Sequence, residues 1–376
     1  MRFELKIAIV VDWLVKAGGA EIFLSYLLEC FPEADLFSVI DFFSQEDREK
    51  FLKGKSVQTS FIQKLPWART KYRAYLPLMP LAIEQLDLSS YDLIISSSHA
   101  VAKGVMTGPD QIHVAYIHSP MRYAWDLQGQ YLRESNLSKG FKSYLVRYLL
   151  HKLRAWDVIS ANRPDYLLAN SKFIARRIKK TYRRDATVLY PGIDLDFFCD
   201  SPGVMRQDFY LTASRMVPYK KMDLIVQTFA EKFKNKELVV IGDGPDFEKI
   251  KKLASANSNI KLLGYQPREV LLTYLQKAKA FVFAAEEDFG LAPIEAQACG
   301  TPVIAYGKGG ALETIGIDSG VFFDAQTVES LSVAIDLFEE RHAYFTAEKC
   351  RKNAERFAVE IFKKNIKDYV LSIVEL

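Results

Sequence analysis

Short apolar runs recur along the chain, each followed by a polar or glycine-bearing loop and then by a stretch whose apolar positions are spaced three and four apart. Runs at 6–11, 36–40, 93–96, 113–117, 166–169 and 187–190 read as strands, as do those at 209–213, 237–241, 260–263, 280–284, 302–305 and 320–323. Strands this continuously apolar are covered on both faces, and their alternation with helical patterns predicts an α/β protein with mostly parallel, doubly wound sheets. The rhythm breaks in the turn-rich run 200–208, before a fresh strand at 209. The predicted division is a first domain over 1–195, a second over 196–356, and a C-terminal amphipathic helix over 357–376, a candidate to cross back to the first domain. Phe357, Ile361, Ile366, Tyr369, Val370 and Ile373 are the expected buried face of that helix.

Length supports the same division, since 376 residues exceed the size at which one core usually stops growing. The net charge of +4 is small for this length and argues against nucleic acid as the main partner. Cys30, Cys199, Cys299 and Cys350 are scattered without CxxC pairs, which predicts a reducing compartment and no cysteine-based metal site. Charges at Arg2, Glu4 and Lys6 precede the apolar run 7–11, Asp12 interrupts it, and no later run reaches membrane-spanning length. The expectation is a cytoplasmic protein, at most peripheral to the inner face of the membrane.

Candidate chemistry sits at strand ends, where ligands bind in doubly wound sheets. Gly18-Gly19 closes the loop after the first strand and opens a helix, so backbone can approach a ligand there; a tight turn uses the same pair. His118 follows the strand 113–117, in a place suited to chemistry and equally to a core histidine at a strand end. Arg215 and Lys220 follow the strand 209–213 and could grip a diphosphate, or be a solvated charge pair. Gly242 opens a close-approach loop after the strand 237–241. The densest stretch is 286–315, in which Glu287 and Glu295 flank Phe289-Gly290-Leu291 between a buried strand and a helix with Pro293 near its first turn. A helix N-terminus attracts phosphate and a carboxylate one turn in accepts from sugar hydroxyls, a combination suited to a nucleotide sugar.

Two segments are basic and aromatic together. In 64–79, Lys64, Arg69, Lys71 and Arg73 interleave with Trp67, Tyr72, Tyr75 and Leu76; in 139–156, Lys142, Arg147, Lys152 and Arg154 lie among Phe141, Tyr144, Leu145, Tyr148 and Leu149. Both read as interfacial helices suited to an anionic membrane, or as ordinary amphipathic helices packed on the sheet.

With these residues laid out, the chain resembles the retaining nucleotide-sugar glycosyltransferases of group 1, also called family four. Glu287 and Glu295 with the inner Phe289-Gly290-Leu291, Arg215 with Lys220, Pro191-Gly-Ile-Asp194 and Gly300-Thr-Pro-Val303 follow the family's order and spacing, and the likeness reaches Gly18-Gly19 and His118. The resemblance implies a GT-B fold, two Rossmann-like domains facing across a cleft, with acceptor bound mainly by the first and donor by the second. It implies that Arg215 and Lys220 neutralise the donor diphosphate, that Glu287 lies near the transferred sugar, and that Glu295 accepts from the ribose. His118 would approach the transferred sugar, while Gly18, Gly19, Gly242, Asp288, Phe289, Gly290 and Leu291 line the donor. Neither metal nor cofactor is implied. Two positions depart from the pattern: Lys221 and Asp288 stand where many members have glycine. The runs 118–126, 219–223 and 305–314 look most like bacterial mannosyltransferases that use GDP-mannose to build O-antigen or exopolysaccharide on a lipid-linked saccharide. A UDP-sugar-dependent transferase and a sugar-nucleotide epimerase are the alternatives.

Overall fold

The computed structural model describes residues 5–135, 137–201 and 203–374. Arg2, Glu4, Pro202 of the turn-rich run and the last two residues of the C-terminal helix lie outside them. The chain divides into two units, Met1–Pro191 together with Phe362–Leu376, and Gly192–Ile361.

In the first unit, β1 (Ile7–Val11), β2 (Asp35–Ser38), β3 (Val57–Thr59), β4 (Leu93–Ser98), β5 (Ile112–Ile117), β6 (Tyr166–Ala169) and β7 (Thr187–Val188) form one sheet in the order β3-β2-β1-β4-β5-β6-β7. In the second, β8 (Phe209–Ala213), β9 (Glu237–Ile241), β10 (Ile260–Gly264), β11 (Ala280–Phe283), β12 (Val303–Tyr306) and β13 (Gly320–Phe323) run β10-β9-β8-β11-β12-β13. Every pairing in both sheets is parallel. The central strands are buried on both faces, which is why β11 reads as an unbroken apolar run and β8 as one broken only by Thr212, while β4 is equally buried but ends in Ser96, Ser97 and Ser98. Strand order reverses between β1 and β4 in one sheet and between β8 and β11 in the other. Each reversal opens a crevice beyond the carboxyl ends of its two strands.

Three local features differ from the sequence reading. The edge strand β3 was not anticipated, because Val57-Gln-Thr59 is too short and polar to carry a periodic signal. The run 64–79 is broken into short turns around Pro66, Pro77 and Pro80, and Tyr72, Tyr75 and Leu76 pack on the core of the first unit. Trp67, Leu78 and Leu81 stay exposed. The C-terminal helix Val359–Val374 buries Phe362, Ile366, Val370 and Ile373 against Phe23, Leu24 and Leu27 of the first unit, while Ile361 is exposed. Each of those four burials contributes about 1.5–3 kcal/mol.

Candidate active site

The second unit brings Lys220 and Glu287 together across its switch point. Lys220 ends a turn of 3-10 helix (Pro218–Lys220) after β8, and Glu287 lies in the loop after β11. Lys220 Nζ forms an ion pair with Glu287 Oε1, both side chains more than four-fifths buried, and the ammonium also lies over the Phe283 ring. Arg215, two residues beyond β8, is exposed.

Backbone contacts fix the loops that carry these charges. A Cβ on Gly310 would lie 2.4 Å from Phe289 Cα, and one on Gly309 2.4 Å from Glu287 O. Only glycine therefore lets the 307–310 loop lie along the Glu287 loop, where Gly310 N–H donates to Glu287 O at 2.8 Å. On the other side, Gly242 has φ 142° and a Cβ there would meet Ser214 O at 1.9 Å, so the loop after β9 rests directly on the one carrying Arg215. Lys221 adopts a left-handed φ of 56° as it caps the helix Met222–Lys232. That conformation explains why glycine suits this position in the proteins the chain resembles.

Phe289 is buried against Phe357 at 5.5 Å, and Gly290, at φ 91°, turns the chain into the helix Leu291–Ala298. Asp288 and Leu291 are half-buried on either side of this turn. Glu295 lies one turn into that helix. The residue keeps part of its surface, but desolvation of its carboxyl group pushes the pKa up to about 7, opposed by Arg268. Among the described residues the Glu295 carboxyl has no hydrogen-bond partner, which leaves it ready to accept from a ligand.

In the first unit Gly18 and Gly19 are exposed, and Gly18 caps the helix Gly19–Cys30 in extended conformation. His118 follows β5. Its Nε2 shares a 2.8 Å hydrogen bond with Ser97 Oγ, and its ring lies near Phe23 and Tyr116. Burial, helped by the charge of His99, brings its pKa down to about 3, so the imidazole is neutral at physiological pH.

Sequence reasoning missed a second pair at this switch point. Asp12 follows β1 and His99 follows β4; His99 Nδ1 lies 2.9 Å from Asp12 Oδ2. The Asp12 carboxylate also accepts the backbone N–H groups of His99, Ala100, Val101 and Ala102 at 2.6–3.1 Å. Burial alone would raise the Asp12 pKa, but His99 and these donors hold it at about 2. Burial works against charging His99, yet Asp12 and Glu21 outweigh it and raise its pKa. The loop after β4 is held from below by buried Lys103, which pairs with Asp157 at 2.5 Å and donates to Ala100 O. The signal that could have found the pair was Asp12 itself, a charge ending an apolar strand. Among the described residues, no group of three or more His, Cys, Asp or Glu is placed to hold a metal ion.

Two Rossmann-like units, each with its polar groups gathered at the switch point of a parallel sheet, define the GT-B fold of glycosyltransferases. Residues 17–197 match Glycosyltransferase Family 4 and residues 200–357 match Glycosyl transferases group 1. HepE from Anabaena, solved in complex with UDP, is 18% identical with a TM-score of 0.71 over 98% of this chain and 100% of its own. Sucrose-phosphate synthase from Thermosynechococcus elongatus is 17% identical with a TM-score of 0.74 over 99% and 100%. Among curated relatives, the GDP-mannose-dependent monoacylated alpha-(1-6)-phosphatidylinositol monomannoside mannosyltransferase of Corynebacterium glutamicum is 27% identical over 47% of this chain and 53% of its own. The chain spans about half the length of the curated relatives it matches.

Proposed function

We propose that the protein is a retaining, metal-independent glycosyltransferase that moves mannose from GDP-mannose to a lipid-linked saccharide in cell-surface polysaccharide synthesis. The observation that carries the reading is the Lys220–Glu287 ion pair at the β8/β11 switch point, with Arg215 exposed on the loop that follows β8. In this reading the second unit binds the donor. Arg215 and Lys220 neutralise the diphosphate, Glu287 meets the transferred sugar, and Glu295 accepts from the ribose hydroxyls. The glycine loops at Gly242, Gly290 and Gly18-Gly19 are the proposed donors of backbone N–H groups to the phosphates, His118 is the proposed partner of the transferred sugar, and the first unit binds the acceptor.

As the bond between the anomeric carbon and the β-phosphate oxygen breaks, its electron pair stays on the phosphate. Two cations stabilise that developing charge more than they stabilise the ground state. The acceptor oxygen forms the new bond on the same face, and its proton passes to the departing phosphate oxygen, which retains configuration. GDP-mannose is favoured by the donor in the name of the Corynebacterium relative and by the sequence runs at 118–126, 219–223 and 305–314. Nucleotide release measured with GDP-mannose and with UDP-glucose, UDP-galactose and UDP-N-acetylglucosamine tests this; preference for a UDP donor would sink the mannose assignment. Conversion of a donor into its epimer without acceptor would sink the transferase.

The first unit supports contact with an anionic membrane. On the helix Phe141–Ser160, Phe141, Tyr144, Leu145 and Tyr148 form one exposed stripe, 53–85% accessible, flanked by exposed Lys142, Arg147 and Lys152. The same helix packs on the core of the first unit through Leu150 and Leu153, and the stripe lies outside that contact. Among the described residues, no helix is long and apolar enough to cross a membrane.

A further inference from the structure

The Asp12–His99 pair borders a small pocket lined also by Trp13, Leu14, Glu21 and Ser97, beside Gly18-Gly19. Asp12 is ionised and can only accept, so the proton shared with His99 resides on Nδ1. Nε2 is the remaining ring nitrogen. Among the described residues it has no hydrogen-bond partner, and a third of the side chain is exposed. An imidazole oriented by a buried carboxylate, beyond the carboxyl ends of the two strands at which sheet order reverses, is placed to meet a ligand.

The dimensions and charge of the pocket limit what that ligand group can be. The space in which the centre of a water-sized sphere can sit is only about 10 Å³. A phosphate does not fit, and the carboxyls of Asp12 and Glu21 disfavour any anion. A sugar ring does not fit either, but one hydroxyl of a larger molecule does. The Trp13 ring, edge-on to His99 at 4.6 Å, adds an aromatic surface beside the opening. We propose that this pocket is a socket for a single hydroxyl group of the saccharide acceptor, hydrogen-bonded by His99 Nε2 while the rest of the sugar stays outside. The proposal rests on the transferase reading and makes His99 an acceptor-binding residue.

Saturation-transfer NMR with the methyl α-glycosides of mannose, glucose, galactose and N-acetylglucosamine tests it. At least one glycoside should give signal with the unaltered protein. His99→Asn keeps an amide N–H for Asp12 but lacks the outer nitrogen, and should weaken that binding at least tenfold. His99→Gln, whose longer side chain carries an amide to the Nε2 position, should recover part of it. Glu21→Ala, altering the helix wall of the socket, is the second variant should His99→Asn not fold, and should weaken glycoside binding as well. No signal with the unaltered protein, or unchanged binding in His99→Asn and Glu21→Ala, overturns the proposal and makes the pocket a water site. GDP-mannose and UDP-glucose are titrated in parallel and should bind the variants as they bind the parent. If neither nucleotide sugar binds the parent, the transferase reading fails, whatever the glycosides do.

Discussion

Lys220 Nζ is paired with the Glu287 carboxylate where β8 and β11 part. A diphosphate arriving here must draw Lys220 away from Glu287, so the two residues should separate binding from turnover. Lys220→Ala should lower turnover by about 10²–10³, as expected for removing one preorganised charge from a developing anion. Glu287→Gln should slow transfer while tightening GDP binding, because the cation loses its internal partner. Steady-state rates and GDP titration check both, and equal losses in the two measurements would assign Glu287 to the fold.

Glu295 ionises with a pKa of about 7 in the free protein, and accepting hydrogen bonds from a ribose would favour its charged form. Donor affinity should therefore rise from pH 6 to pH 8, with proton release on binding near neutrality. Glu295→Gln should flatten that profile. The folded-state pKa lies above the unfolded one, so between the two the folded protein holds more protons and loses stability as pH rises. At pH 8, Glu295→Gln should be more stable than the parent by on the order of 1–3 kcal/mol. Calorimetric titration and denaturation at several pH values check these shifts.

Two positions with unusual backbone should respond in opposite directions. Gly242→Ala sets a methyl group against Ser214 O and should cost more than about 3 kcal/mol or prevent folding. Lys221→Gly relieves a left-handed lysine and should gain up to about 1 kcal/mol. Urea denaturation reports both.

Lys103 and Asp157 are both buried, and Asp157 also accepts from Trp125 Nε1 and Tyr182 Oη. Lys103→Ala should cost about 3–5 kcal/mol, since it strands a buried carboxylate. Replacing both partners with apolar residues should cost less than the sum of the single changes. A double-mutant cycle measures the difference.

Binding to phosphatidylglycerol vesicles should weaken as salt rises from 0.05 to about 0.5 M, because exposed charges are screened. Replacing Phe141, Tyr144 and Tyr148 together by Ser should remove most of it, as these side chains are exposed and support no core. Absence of vesicle binding at low salt would return the helix to a purely structural role.

The sequence alone placed every strand but β3, to within two residues at each end. Strands buried on both faces are mostly apolar, and β6, β8, β9 and β13 fall on the predicted residues. It also marked Lys220 and Glu287, because charges and glycines just past apolar strands stand out. What it could not determine was which strand ends meet. Asp12 and His99 lie 87 residues apart, and become neighbours only because β4 pairs with β1 rather than with β3. The same order places Lys220 against Glu287. The raised pKa of Glu295, the exposure of the Phe141 stripe and the closed contacts at Gly242 and Gly310 are likewise tertiary. Desolvation and backbone approach depend on what packs alongside, and periodicity along a chain carries no record of its neighbours.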